Sequence, residues 1–597
     1  MPQRPPPRRP DRTIRRNIES PVRILGVYRA GPPGREHGGG RITSTDRRAR
    51  AEWLVPPGER AGAEEGEIVL AEPLPHHRSL GLRPARVIER LGAMGDARSV
   101  SLISIHTHDI PHAFPAAALE EAARVHAASL GDRHDLRDTA LVTIDGEDAR
   151  DFDDAVFAEQ DKDGFRLIVA IADVAYYVRP GLPLDHAART RGNSVYFPDR
   201  VVPMLPEALS NGWCSLKPDE DRPCLFAELH IDRSGNKTRH RFGRGLMRSV
   251  ARLTYEEVQR AHDAGDARFA NLYAAYHALL AARTARGTLD LDLPERKVVL
   301  DRSGRVASIE PRPRLDSHRL IEEFMVLANV AAAEELERRR QPAMYRVHAP
   351  PSPEKLESLR DFLHGLAISL PRGDQLHPRD LDRVLRRVAG TPEAPLVNDV
   401  MLRSQSQAEY SPDNIGHFGL ALPRYAHFTS PIRRYSDLLV HRALIRGLRL
   451  GDGALAHDEG ARFADTALHI TATERRAQLA ERDAIDRYLA AYMADKVGAN
   501  FTARISGVTR FGLFVTVTES GASGIVPIRS LPPDYWRHDE KEQALRGRET
   551  RLTFRLAQEV EVRLAEASPV TGGIVFHILQ AAPPRGARGK GRRSRRR

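Results

Sequence analysis

The sequence predicts a multidomain α+β protein: two small β-barrels of the OB class flank a mixed α/β body, with basic arms at both ends. Three observations predict it. Near each end, five short apolar runs alternate with turn-rich segments, the pattern of a small closed barrel. Between them, strand-like runs alternate with long stretches of helical periodicity. The two extremities are rich in Pro, Gly and Arg and cannot build a core.

In chain order, residues 1–20 form a basic arm with six Arg against Asp11 and Glu19. Residues 21–92 hold the first barrel, with strands over 22–27, 40–43, 51–55, 66–70 and 83–91, separated by GPPGREHGGG and PPGERAG. A linker over 93–137 contains a helix at 116–130. The body covers 138–490. It opens with strands at 140–144, 155–157 and 165–173, the last two joined by a turn at 161–164. Leu320, Phe324, Leu327 and Ala331 recur at helical spacing and predict a helix over 317–338. A second helix is expected over 429–448, with Ser430 as its cap, Pro431 at its first position and Arg433 in its first turn. A third covers 469–496. Residues 491–580 hold the second barrel, with strands at 500–508, 511–517, 524–528, 559–565 and 573–579. Residues 581–597 are a tail with eight positive charges and no acid.

The arms together carry more positive charge than the chain's net +11, so the body between them is slightly acidic. Such arms bind nucleic acid through its phosphates or serve as solubilising, ribosome-adhering tails. No apolar window is long enough to span a bilayer, so no membrane partner is expected, and the N-terminus lacks an apolar signal core. Cys214 and Cys224 cannot make a disulfide framework. A cytoplasmic protein is expected.

The chemistry gathers in DGEDARDFDD, residues 145–154, which holds Asp145, Glu147, Asp148, Asp151, Asp153 and Asp154 between strand-like runs. Two carboxylates about 5 Å apart repel by roughly 3 kcal/mol at an effective dielectric near 20, and four converging acids could cost on the order of 20 kcal/mol. That exceeds the ~5–15 kcal/mol that holds a domain together. The acids must splay into water, take up protons or bind a cation. Strand flanks and the apolar Phe152 argue against a merely solvated loop. Oxygen donors without His or Cys suit Mg²⁺, or Mn²⁺ in its place. Gly146 is at the wrong position for a calcium-binding EF-hand loop.

A second cluster, YAHFTSPIRRYSD at 425–437, places Arg433 and Arg434 where planar guanidinium groups could meet phosphate oxygens or pair with acids such as Asp437. Arg510 and Phe511 in the second barrel suit stacking of single-stranded bases, while Phe514 is expected in the core.

TIDGEDARDFDDAV, RLIEEFMVLAN, MYRVHAPPSPEKLESL and HFTSPIRRYSDLLVHR, in that order, resemble the catalytic signatures of the RNB family, the ribonuclease II and ribonuclease R exoribonucleases. The resemblance runs from about 21 to 580 and leans towards bacterial ribonuclease R. RFGLFV and SGIVPIRSLPPDYW are similar to that family's C-terminal RNA-binding barrel, and the first barrel looks like its cold-shock domain.

The resemblance implies a processive 3′→5′ hydrolase of single-stranded RNA that releases nucleoside 5′-monophosphates in RNA turnover. It implies a monomer with possible contacts to ribosomes or RNA-degradation machinery. Asp145, Asp151, Asp153 and Asp154 match the family's metal-holding catalytic acids, and Arg433 the arginine at the scissile phosphate. Tyr196, in NSVYFP, matches the aromatic that stacks the terminal base. Glu322 or Glu323 matches a glutamate at the ribose hydroxyls. Two departures stand out. Leu291, in GTLDLDLPE, occupies the place where relatives carry a Phe that pairs with that Tyr, and only one barrel precedes the body. The competing readings are an RNA-binding protein with an inactive channel and a nuclease acting on DNA.

Overall fold

The computed structural model describes residues 23–31, 39–45, 51–75, 81–93, 98–291, 295–371, 376–391, 393–540 and 542–581. The arm expected over 1–20 and, beyond Ala581, the tail expected over 581–597 lie outside the described residues. The chain divides into two compact units, Met1–Thr107 and His108–Arg597.

In the first unit, strands Ile24–Ala30, Gly40–Ser44, Glu52–Val55, Arg83–Ala93 and Glu67–Pro73 close in that order into a barrel. Alternating residues point inward, so Ile24, Tyr28, Ile42, Val55, Val69, Ala71, Ala85 and Val87 fill it. Gly26 is required by close approach: a Cβ there would strike Ile42 and the Thr43 carbonyl. A helix the sequence reading did not anticipate, Arg98–Thr107, follows.

The second unit is built on a seven-stranded sheet. Its order is Ala251–Thr254, Val142–Asp145, Asp154–Asp161, Gly164–Ala172, Asp221–Asp232, Lys237–Arg248 and His134–Leu136. The two edge pairs are parallel and the rest antiparallel. Gly164–Ala172 lies mid-sheet, and its run from Leu167 to Ala172 is buried throughout, which explains why FRLIVAIA is apolar without alternation. Helices Ala270–Arg286, Asp316–Arg338 and Tyr435–Leu448 supply Leu272, Phe324, Leu438 and Leu439 to the same core. A smaller apolar cluster joins helices Pro353–Gly365, Pro378–Val388 and Ala394–Ser404.

Three helix expectations shift. The helix expected over 116–130 spans only Ala116–Ala123. The one expected over 469–496 begins earlier, at Phe463, and runs to Ala494. The one expected from 429 begins at Tyr435, with Arg434 at its cap, so neither Ser430 nor Pro431 opens it and Arg433 precedes it. The cause is tertiary. Asn193 and Arg434 form an antiparallel bridge, Ser194 N–H donates to the Arg433 carbonyl and Tyr435 N–H to the Gly192 carbonyl. This pairing holds Arg434 extended, at φ −137°, where a helix would otherwise propagate.

The Phe463–Ala494 helix ends in the second barrel's core through Leu489, Ala490 and Met493. That barrel closes in the order Asn500–Thr509, Gly512–Val517, Ser523–Pro527, Gly573–Ala581 and Glu559–Ser568. Between its third and fourth strands in sequence stands an unanticipated three-stranded sheet, Trp536–Asp539, Ala544–Gly547 and Thr553–Arg555. Phe514, expected in the core, is 44% exposed. Leu513, Val515 and Val517 face inward, and the two-residue period then sends Phe514 outward. Among the described residues no helix is long and apolar enough to cross a membrane.

Candidate active site

Two adjacent strand ends bring the acids together. Asp145 is the last residue of Val142–Asp145, and Asp154 is the first of Asp154–Asp161. The intervening loop is braced at several points. Ser215 Oγ donates to the Arg150 carbonyl at 2.7 Å and accepts from Phe152 N–H at 3.0 Å. Ala172 N–H donates to the Asp153 carbonyl at 2.9 Å. The Arg252 guanidinium donates to the carbonyls of Gly146 and Glu147 at 2.8 and 2.7 Å. Buried Phe152 packs against the main core, so the loop is anchored from beneath.

Burial and mutual repulsion hold these acids in protonated form to higher pH than usual. The Asp145 carboxyl is pushed up to about 8 by burial and then by the Asp154 charge, with Arg433 pulling the other way. Burial raises Asp154 to about 6 against the opposing fields of Arg433 and Arg434. Burial also raises Asp153, although Arg433 and the Ile432 N–H favour its charged form. Asp153 Oδ1 accepts from Ile432 N–H at 2.9 Å, and its Oδ2 lies 3.5 Å from Arg433 Nε. Asp151 accepts from the Tyr196 hydroxyl at 3.3 Å.

Arg433 is held but not consumed. Its Nη2 donates to Ser430 Oγ at 3.1 Å, and its side chain stays 47% exposed. Arg434 was expected to touch substrate; instead its fork is bidentate to Asp437, at 2.9 and 2.8 Å. Fully buried Asp437 also accepts from Ser430 N–H at 2.8 Å and Ser436 Oγ at 2.8 Å, which fixes the turn that presents Arg433. Tyr196 is tethered by its N–H to Glu481 Oε1 at 2.8 Å. With Arg433, Arg434 and Tyr410 it lines a cavity of about 170 Å³.

The other predicted residues stand elsewhere. Glu323 is buried and bound to Arg283 at 2.6 Å, so it is a scaffold for its neighbour. Glu322 is 38% exposed and pairs with Arg283 and Arg314 at 3.3 and 2.7 Å. Leu291, expected where relatives carry an aromatic, packs half-buried against the cluster of the three smaller helices. Arg510 lies 4.6 Å over the ring of Phe511, which is 62% exposed on the second barrel.

Sequence reasoning missed Tyr255, Ser215 and Arg252. The Tyr255 phenol lies close enough to Asp154 and Asp145 for their charges to raise its pKa further, beyond the effect of its burial. The signal was available in part: Thr254 pairs in register with Asp145 and caps the next helix in a capping box with Glu257, a legible T-x-x-E.

The donor set suits a hard divalent cation. Asp145 Oδ2 and Asp153 Oδ2 are buried without a hydrogen-bond partner, a costly state that a cation would relieve. The acids are not drawn up into a finished cage: among the described residues no group of three or more His, Cys, Asp or Glu is gathered to hold a metal.

Known proteins share this order of domains. Residues 133–449 match the RNB domain, residues 42–115 a cold shock domain and residues 494–578 the S1 RNA binding domain. A ribonuclease R of Escherichia coli strain K12 is 40% identical over 603 residues, spanning 96% of this chain and 73% of that protein. One from Aquifex aeolicus is 36% identical over 554 residues, spanning 90% and 78%. The structure of Mycoplasma genitalium RNase R in complex with ribose-methylated single-stranded RNA matches with a TM-score of 0.89 at 26% identity, covering 94% of this chain and 90% of that one. With its RNB domain matched over more than half its length and the chain itself aligned nearly end to end with about three quarters of such relatives, the chain belongs to the RNB family of exoribonucleases, in its ribonuclease R branch.

Proposed function

We propose that the chain is a 3′→5′ exoribonuclease that hydrolyses single-stranded RNA processively and releases nucleoside 5′-monophosphates. One observation carries this reading: the strand-end carboxylates Asp145 and Asp154 repel one another beside Asp153, whose free oxygen meets a half-exposed arginine, Arg433. Nucleases of the RNB family use divalent metal ions. An all-oxygen donor set favours Mg²⁺, with Mn²⁺ as a substitute, and Asp145, Asp151, Asp153 and Asp154 would hold it. When bound, such ions supply an activated water and a counter-charge for the leaving 3′ oxygen.

The side chains divide the remaining work. Arg433 keeps guanidinium donors free of Ser430 and Asp153 and offers them to the scissile phosphate, where charge develops. Arg434 and Asp437 position that turn. Tyr196 stacks the terminal base, and its hydroxyl orients Asp151. Glu322 is the glutamate placed to meet a ribose hydroxyl, the contact that separates RNA from DNA. Glu323 and Arg283 position it. Arg510 and Phe511 stack bases upstream on the second barrel. Leu291 supplies no ring, so Tyr196 holds the base without an aromatic partner there. The working domains are those read from the sequence: 21–92, 93–137, 138–490 and 491–580, with basic arms outside. The enzyme acts as a cytoplasmic monomer, and the arms are its surface for RNA or ribosomes.

The test is incubation with 5′-labelled RNA in Mg²⁺ and in EDTA, with a matched DNA oligomer as control. Stepwise shortening from the 3′ end and 5′-monophosphate products in Mg²⁺ alone support the reading. Full-length RNA in both conditions supports the binding protein, and equal cleavage of DNA supports a general nuclease.

A further inference from the structure

The acidic loop has a second face. Asp151 and Asp153 turn to Tyr196 and Arg433. Between and before them, Ala149, Arg150 and Phe152 line a separate cleft with Asn211, Lys217 and Pro218. The cleft is broad and open to solvent, with a volume of about 850 Å³, enough room for a small organic ligand such as a mononucleotide.

Its lining is divided in a way that selects a ligand. Arg150 and Lys217 make no ion pair among the described residues, and they face the cleft. The third cation, Arg252, is spent on the carbonyls of Gly146 and Glu147. Of the two carboxylates at the rim, Glu220 is paired with Arg222, which leaves Glu207 against two free cations. That balance suits a phosphate. Beside it, Ala149, Pro218 and the Phe152 edge give an apolar wall of the kind a nucleobase covers. Asn211 adds an amide able to bond a base edge, and it sits in the π-helix Ala208–Trp213, a rare turn that recurs at functional sites.

We propose that this cleft is a second, non-catalytic site for a nucleoside 5′-monophosphate. Arg150 and Lys217 hold the phosphate, and the wall formed by Ala149, Phe152 and Pro218 holds the base. Asp151 lies between Arg150 and Phe152 in the chain, and Ser215 Oγ clasps the loop there by the Arg150 carbonyl and the Phe152 N–H. A ligand pressing on Phe152 therefore bears on Asp151 and Asp153 from behind. Occupancy slows turnover without competing for the RNA end. The inference rests on the exoribonuclease reading only in taking the enzyme's own product as the ligand's source.

The test uses the full chain. In EDTA, adenosine 5′-monophosphate is titrated by calorimetry into the wild type and into an Arg150→Ser/Lys217→Gln double variant. One nucleotide per chain is expected, with affinity at least ~10-fold lower in the variant, since two charge-assisted contacts are removed. Adenosine and inorganic phosphate should each bind more weakly. Lys217→Arg, with an unchanged melting temperature, should retain affinity. In Mg²⁺ the nucleotide should lower kcat at constant KM for RNA, and the double variant should escape. Absence of binding in EDTA, equal affinity in the variant, or phosphate binding as tightly as the nucleotide would overturn the proposal. So would a variant that loses RNA affinity while its nucleotide binding is intact, because the cleft would then be an RNA track. A wild type that binds the nucleotide yet never cleaves RNA would sink the exoribonuclease reading instead.

Discussion

Arg433 offers the sharpest separation of chemistry from stability. Replace it with Ala. The structure limits the stability cost: the side chain is 47% exposed, its contact with Asp153 is 3.5 Å long, and Asp153 retains the Ile432 N–H at 2.9 Å. Only the arginine end is open to solvent, but buried Asp153, already pushed towards its neutral form, can take up a proton when the arginine leaves, so the loss should stay near ~1 kcal/mol. The rate is another matter. A guanidinium that neutralises a transferring phosphate contributes ~10³–10⁵-fold, about 4–7 kcal/mol of barrier. Arg433→Ala should therefore lower kcat at least ~10³-fold with a melting temperature shifted by only a few degrees. Arg433→Lys, which keeps the charge but loses the planar fork, should fall between. Single-turnover cleavage of labelled RNA and thermal melting of the same preparations check it. A kcat loss below ~10-fold, or a stability loss large enough to explain the rate, would refute the role assigned to Arg433.

Four further outcomes follow, three from the same geometry and the last from the charge of the C-terminal sequence. Asp437→Asn leaves the Arg434 fork facing a neutral, buried partner, so it should cost ~3–5 kcal/mol in urea unfolding, far more than Arg433→Ala. Burial pushes the metal-free Asp145 carboxyl up to about 8 and Asp154 up to about 6, so lowering the pH from 8 to 6 should protonate the donors and weaken divalent-ion uptake. Calorimetry at pH 7 in buffers of different ionisation enthalpy should show protons released on metal binding. Because these folded-state values lie above the unfolded one, their contribution to stability is greatest below the unfolded pKa and is lost as the pH rises through 6 and 8. The metal-free protein should thus melt higher at pH 5 than at pH 8. Deleting residues 581–597 removes up to about eight phosphate contacts and should flatten the salt dependence of RNA affinity, measured by filter binding across a salt series.

Much of this was legible because it is local. Alternation and turn residues place the barrel strands to within a few residues, and the apolar run Leu167–Ala172 marks a strand buried on both faces. The acids announce themselves by density. What the sequence hid is set by partners distant in the chain. Ser430–Pro431 has every local mark of a helix start, yet pairing with Gly192–Ser194 delays the helix to Tyr435. Glu322 and Glu323 are adjacent and alike, and both meet Arg283 on another helix; which face of Asp316–Arg338 packs on the core decides that Glu323 alone is buried. Arg433 and Arg434 were equally matched to phosphate until Asp437 claimed one of them. The sheet Trp536–Arg555 lacks an apolar stripe because its strands are short and polar, so periodicity could not reveal it. Phe514 was misread because an aromatic in a strand was taken as core, where the phase set by Leu513 and Val515 sends it outward.

The central claim is that the carboxylates of the acidic loop hold the divalent ions that cleave RNA. Its most direct test is titration of Mg²⁺, by calorimetry, into the wild type and into Asp153→Asn, each with a nonhydrolysable RNA oligomer bound. The account predicts metal uptake by the wild type, and loss of uptake and turnover together in Asp153→Asn with RNA affinity retained. A wild type that takes up neither Mg²⁺ nor Mn²⁺, or an Asp153→Asn protein that still degrades RNA at a substantial rate, would contradict it.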